Sequence, residues 1–159
     1  MDVRTILGTA LVSLGAAAAT AQSDANLKAL PDGPGKETFG SVCNLCHDGP
    51  TAVVGKQWTK AQWDAKVTEM LQEEPDVTTA ERAAIVDYLS ANFKPGGKIY
   101  VNLAKPKDLA AALELTADAG EALVRYRETN GKFKAIEDLK NAAGVNAGKI
   151  DAKKDRLEF

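Results

Sequence analysis

Both cysteines of the chain fall in one five-residue stretch, Cys43-Asn44-Leu45-Cys46-His47. This C-x-x-C-H spacing lets two thiols form thioethers with the two vinyl groups of one haem. It also puts the next residue's imidazole under the iron as proximal ligand. Three other chemistries are open to such a pair. A zinc site needs further ligands, and the sequence holds no other Cys and only one His. A thioredoxin-type dithiol wants a strand–helix–strand setting, which the surrounding residues do not suggest. A plain Cys43–Cys46 disulfide stays open in an oxidising compartment. The reading in which motif, compartment and surroundings agree is a single covalently attached haem c, held by Cys43 and Cys46 with His47 on its iron.

His47 is the sole histidine, so a second imidazole cannot complete the iron's coordination. Met1 would leave with the leader described below, which makes Met70 the remaining thioether. Met/His ligation would raise the reduction potential. The alternatives are Met70 as core filler, a five-coordinate gas-binding iron, or Lys or water as sixth ligand. Pro50 could orient His47 by offering its carbonyl to the ring N–H. Glu73, Glu74 and Asp76 read as a solvated loop, and Trp58 and Trp63 as packing side chains that could also gate electrons. With His47 committed, no Ser-His-Asp set can be built. Nothing in the sequence suggests catalysis beyond one-electron transfer.

The elements that must position these residues follow from composition and periodicity. The chain has 159 residues, with 20 Lys+Arg against 22 Asp+Glu, 45% apolar and 26% charged residues. That composition fits a folded protein, and a net charge of −2 excludes a globally basic nucleic-acid binder. Met1–Ala21 reads as an export signal. Arg4 starts it, Ile6–Ala19 is its apolar run, and Ala19-Thr20-Ala21 is an A-x-A cleavage site predicting a mature start at Gln22. The run is short for a membrane span and no second one follows, so the expected location is a bacterial periplasm.

Pro95-Gly96-Gly97 divides the rest into Gln22–Gly97 and Lys98–Phe159. The first has 7 Lys+Arg and 11 Asp+Glu, the second 12 and 10, so their net charges are −4 and +2. Each is small enough that core burial alone is marginal, and each invites a staple or mutual support. Periodicity predicts helices throughout. The first half shows them over Gly35–Val42 with Phe39 inward, from Thr59 with Trp63, Val67, Met70 and Leu71 on one stripe, and over Thr79–Phe93. The second half shows four, at Pro106–Leu113, Ala117–Asn130, Ile136–Ala142 and Ala147–Leu157. Val53-Val54 and Ile99–Leu103 are expected to be extended at most. The fold class is all-α, with three to four helices in the first half and four in the second.

Gly35-x-x-x-Phe39 ahead of the motif, and Ile85-Val86-Asp87-Tyr88-Leu89 in the last helix of the first half, resemble the crossing terminal helices of small class I c-type cytochromes. Trp63-x-x-x-Val67-x-x-Met70 further resembles the cytochrome subunits of periplasmic sulfite-type dehydrogenases. The resemblance covers Gln22–Pro95. It implies covalent haem with Met70 on its far side, and electron transfer through an exposed haem edge. The implied partners are a periplasmic dehydrogenase as donor and another cytochrome or terminal oxidase as acceptor. Tyr100-Val101-Asn102-Leu103-Ala104, Leu123–Phe133 and Glu137-Asp138-Leu139 resemble the helix-hairpin-helix domains of competence-type DNA-binding proteins. In that family a glycine-rich hairpin holds a DNA phosphate on backbone N–H groups. Here the hairpins are Glu114-Leu115-Thr116, without glycine, and Gly144-Val145-Asn146. With a charge of only +2, these argue for a docking module rather than nucleic-acid binding. A phosphate patch of Arg125, Arg127, Lys132 and Lys134 is the competing expectation. The rival functions are a DNA-binding protein with an accessory haem and a haem-based gas or redox sensor.

Overall fold

A computed structural model describes residues 14–142 and 144–159, with side chains from residue 21 onward. The expected leader, Met1–Ala21, lies for the most part outside the described residues. The expected cleavage bond after Ala21 falls within the first helix, α1 (Leu14–Lys28). No helix among the described residues is long and apolar enough to cross a membrane.

The described chain is mostly helical. Before Pro95 come α1, α2 (Lys36–Cys43), α3 (Gly49–Val53), α4 (Lys60–Met70) and α5 (Thr79–Asn92). The three to four helices expected here are therefore five. Val53 and Val54, expected to be extended, instead form the end of α3. Two helices start as their sequences dictate. Thr59 and Gln62 make a reciprocal capping box on α4, and Thr78 and Glu81 make another on α5. Such a cap is worth about 1 kcal/mol. Helix α5 thus begins at the expected Thr79, with Thr78 as its N-cap. Phe39 of α2 and Tyr88 of α5 meet with ring centroids 5.7 Å apart. The Tyr88 hydroxyl donates to the Pro31 carbonyl at 2.9 Å.

After residue 98 come β1 (Ile99–Tyr100), α6 (Pro106–Leu113), α7 (Ala117–Asn130), α8 (Ile136–Lys140), α9 (Ala147–Asp151), a 3-10 turn (Lys154–Arg156) and β2 (Leu157–Glu158). The expected fourth helix, Ala147–Leu157, is broken into α9, the 3-10 turn and a strand. The strand pairs in parallel with β1, Ile99 opposite Leu157 and Tyr100 opposite Glu158. Asn102 ties the start of this half to its middle. Its Nδ2 donates to the Phe133 carbonyl at 2.9 Å, and its Oδ1 accepts from Phe133 N–H at 2.8 Å.

One apolar core passes through both halves. It runs from Leu30, Phe39 and Trp63 through Ile85, Leu89 and Phe93 to Tyr100, Leu109, Leu123, Leu139, Ile150 and Leu157. Phe93 and Tyr100 bridge the Pro95–Gly97 break, with centroids 5.7 Å apart. Burial pushes the Tyr100 phenol up to about 12, so it stays neutral and adds no charge to that seam.

Candidate functional site

The loop 44–48 joins α2 to α3, and it is fastened by its own side chains. Asn44 Oδ1 accepts from Gly49 N–H at 3.1 Å. Asp48 caps α3, its Oδ1 accepting from Thr51 N–H at 3.4 Å, while its Oδ2 accepts from Asn26 Nδ2 of α1 at 2.7 Å. Gly49 packs tightly at its place. A Cβ there would lie 3.0 Å from Cys43 Cβ, 3.1 Å from Asn44 Oδ1 and 3.2 Å from Phe39 Cζ. The chain therefore turns directly beneath the cysteine, and Cys43 is presented by the end of α2 while Cys46 and His47 stand on the loop.

These three residues open onto a mainly apolar cavity of about 460 Å³ between α2, α3, α4 and α5. That volume lies within the range of about 300–1,000 Å³ common to small-molecule and cofactor sites. Its walls include Phe39, Val42, Val53, Trp58, Trp63, Val67, Leu71 and Leu89, and Met70 contributes from the end of α4. All four expected site residues, Cys43, Cys46, His47 and Met70, thus line one cavity. Met70 is not core filler. Its neighbours Trp63, Val67 and Leu71 are buried, whereas Met70 is 55% exposed at the mouth. Leu45, 80% exposed, stands on the same rim. His47 also borders a second, more polar cavity of about 430 Å³ that includes Gln22, Asp24 and Asp48.

Both cysteines carry free thiols. Burial, with a smaller contribution from Cys46 beside it, pushes the Cys43 thiol up to about 11, so it is protonated at neutral pH. Trp63 is fixed by its indole N–H, which donates to the Phe93 carbonyl at 3.1 Å, and Trp58 lies 4.7 Å away centroid to centroid. The end of α4 is held from α5. The Arg82 guanidinium donates to the Leu71 carbonyl and, at 3.4 Å, to that of Glu74. The Pro50 carbonyl accepts from Val54 N–H at 3.2 Å within α3.

Sequence reasoning missed Lys56, which also lines the cavity and pairs with Asp108 of α6 at 3.0 Å. A Gly-Lys-Gln-Trp segment carries no periodic signal, and the partner is 52 residues away.

In the second half, the expected basic patch is dispersed. Arg127 donates to the Val101 carbonyl at 2.7 Å, and burial lowers its pKa. Arg125 pairs with Glu121 at 3.3 Å. Tyr126 and Phe133 stack at 5.6 Å with Lys132 and Lys134 exposed nearby in sequence. At the first hairpin Glu114 adopts φ 56°, a left-handed conformation that the second hairpin assigns to Gly144, at φ 77°. The Glu114 carboxylate takes Lys153 at 2.5 Å, and its carbonyl accepts from Lys149. The cations closest to this hairpin are therefore engaged within the chain.

Neither a comparison with curated proteins nor one with solved structures finds a match to this chain. Residues 94–158 do match a family model, that of the helix-hairpin-helix motif, so the second half carries that motif.

Proposed function

We propose that this chain is an exported monohaem c-type cytochrome that carries single electrons, with its helix-hairpin-helix half serving to dock a redox partner. The observation that carries the reading is the convergence of two free thiols, one imidazole and one thioether on a single apolar cavity. The donor chemistry fits the group: imidazole and thioether nitrogen and sulfur donors suit haem iron, and apolar walls suit a porphyrin face. A haem bound there would supply a reversible ferric/ferrous couple.

The chain's own residues then have distinct tasks. Cys43 and Cys46 would hold the group covalently, and His47 and Met70 would be its iron ligands. Phe39, Trp63, Val67 and Leu89 keep water from the interior, which favours a small reorganisation on charge change. Leu45 and Met70 leave an apolar rim at the mouth, where a partner could approach within electron-transfer distance. The donor would be a periplasmic dehydrogenase and the acceptor another cytochrome or terminal oxidase.

The test is mass spectrometry and visible spectroscopy of protein matured in a periplasm competent for cytochrome assembly. The expected result is a mass increase of one haem, lost in a Cys43→Ser/Cys46→Ser variant. In Met70→Ala the thioether-to-ferric-iron charge-transfer band should vanish while the covalent group remains. A matured protein without added mass would overturn the proposal.

The motif match favours a second reading, in which residues 94–158 bind DNA. Its expected signature is a gel shift of the full chain at physiological salt that weakens steeply as salt rises. Glu114 at the first hairpin, with Lys153 and Lys149 spent on it, supports docking over this reading.

A further inference from the structure

Lys56 and Trp58 line the cavity, and their segment, 55–58, is anchored from both halves. Lys56 Nζ reaches Asp108 Oδ1 at 3.0 Å, with the aspartate side chain 11% and the lysine side chain 25% exposed. Gly55 lies so close against Asp108 that a Cβ would collide with it. Gln57 Oε1 accepts from Arg156 Nη2 at 2.9 Å and from Gly96 N–H at 3.3 Å. Within the first half, Lys56 N–H donates to the Val53 carbonyl at 2.9 Å and Trp58 N–H to the Phe93 carbonyl at 3.1 Å. Lys56 and Trp58 both line the cavity.

We propose that Asp108 and Arg156 are positioning residues of the cavity: through Lys56 and Gln57 they fix segment 55–58 as its wall, so the helix-hairpin-helix half governs the shape and charge of the site. The polarity of the tie is informative. The cation comes from the net-acidic half and the anion from the net-basic half, so bulk charge attraction does not account for it. A mostly buried pair costs desolvation and is costly to break from one side, which makes it a specific fastening rather than a surface contact. Only the redox arm of the following test rests on the haem reading.

Hydrogen exchange is measured on the full-length chain for wild type, Asp108→Asn, Asp108→Glu and Arg156→Gln. Exchange at the Lys56 and Trp58 amides is expected to accelerate by ~tenfold or more in Asp108→Asn and Arg156→Gln, with the middle of α4 changing by less than ~twofold. Asp108→Glu keeps the charge but must fit a longer chain against Gly55, and should recover part of the protection. The midpoint potential is then read in Asp108→Asn and Lys56→Met. Removing the carboxylate disfavours the more positive ferric state and raises the potential, whereas removing the ammonium lowers it. A purely structural role would not give opposite signs. Unchanged exchange at 55–58, or potentials that move together, would overturn the proposal. Accelerated exchange in a protein that carries no haem would leave this inference standing and overturn the electron-carrier reading instead.

Discussion

The two halves of the molecule use their apolar residues differently. In the second, Leu109, Leu113, Leu123, Leu139 and Ile150 are completely buried against one another, and the backbone of Phe133 is clasped from both sides by Asn102. In the first, Trp63, Val67, Leu71 and Leu89 divide their surfaces between the core and a cavity of about 460 Å³. The first half keeps a space that chemistry can use, and the second supplies the closed packing that braces it. The half that matches a family model is the closely packed one, and the half outside that match holds both cysteines and the histidine.

The largest test of that division is Leu123→Ala. Truncating a fully buried leucine in a closed core costs about 2–5 kcal/mol. Because one core joins the halves, the expected unfolding transition shifts as a whole in denaturant titration. A separate early transition for the second half would break the comparison.

Asn102→Ala comes next. It removes two hydrogen bonds to Phe133 and strands a half-buried N–H and C=O, for a loss of about 1–3 kcal/mol by the same titration. Asn102→Asp should recover little of this, because the carboxylate cannot donate to the Phe133 carbonyl.

The smallest effect is on the acid limb. Hydrogen bonds from Thr78 hold the Glu81 carboxyl below its usual 4.5, and Lys153 does the same for Glu114. A depressed carboxylate contributes stability that is present above about 4.5 and is lost as pH falls through the lower folded value. The melting temperature should therefore fall below pH 4.5 and fall less in Glu81→Gln, which keeps the capping side chain, and in Glu114→Gln. Added salt should weaken the Glu114 contribution, which is an exposed ion pair, and leave that of Glu81, which is a hydrogen-bonded cap.

Much of this architecture was legible because it is local. Thr59 with Gln62, the Trp63–Val67–Leu71 stripe and the bounds of α6 and α7 depend on residues three or four apart, and the structure matches the sequence reading there. Two helices were not anticipated. The first part of α1 coincides with the apolar run assigned to the leader. Helix α3 has five residues and opens on Gly-Pro, too short for periodicity, although Asp48 followed by Pro50 is a start signal that could have found it. Leu157, the first residue of β2, was read as the end of a helix because the strand's pairing with Ile99–Tyr100 spans nearly sixty residues of sequence. At the cavity, Cys43, Cys46, His47 and Met70 were singled out by type and spacing. The wall was not, since Lys56 and Gln57 find Asp108 and Arg156 across 52 and 99 residues.

The Asn26–Asp48 bond has a consequence for the proposed export. It anchors the thiol-bearing loop to a residue only five positions beyond the expected scission point after Ala21. A peptidase acting there spares the anchor and leaves Gln22, whose side chain donates to Asn26 at 2.9 Å. Were the proposed leader cut a few residues deeper, the loop's mooring would go with it, so the position of that cut would set how firmly Cys46 and His47 are held.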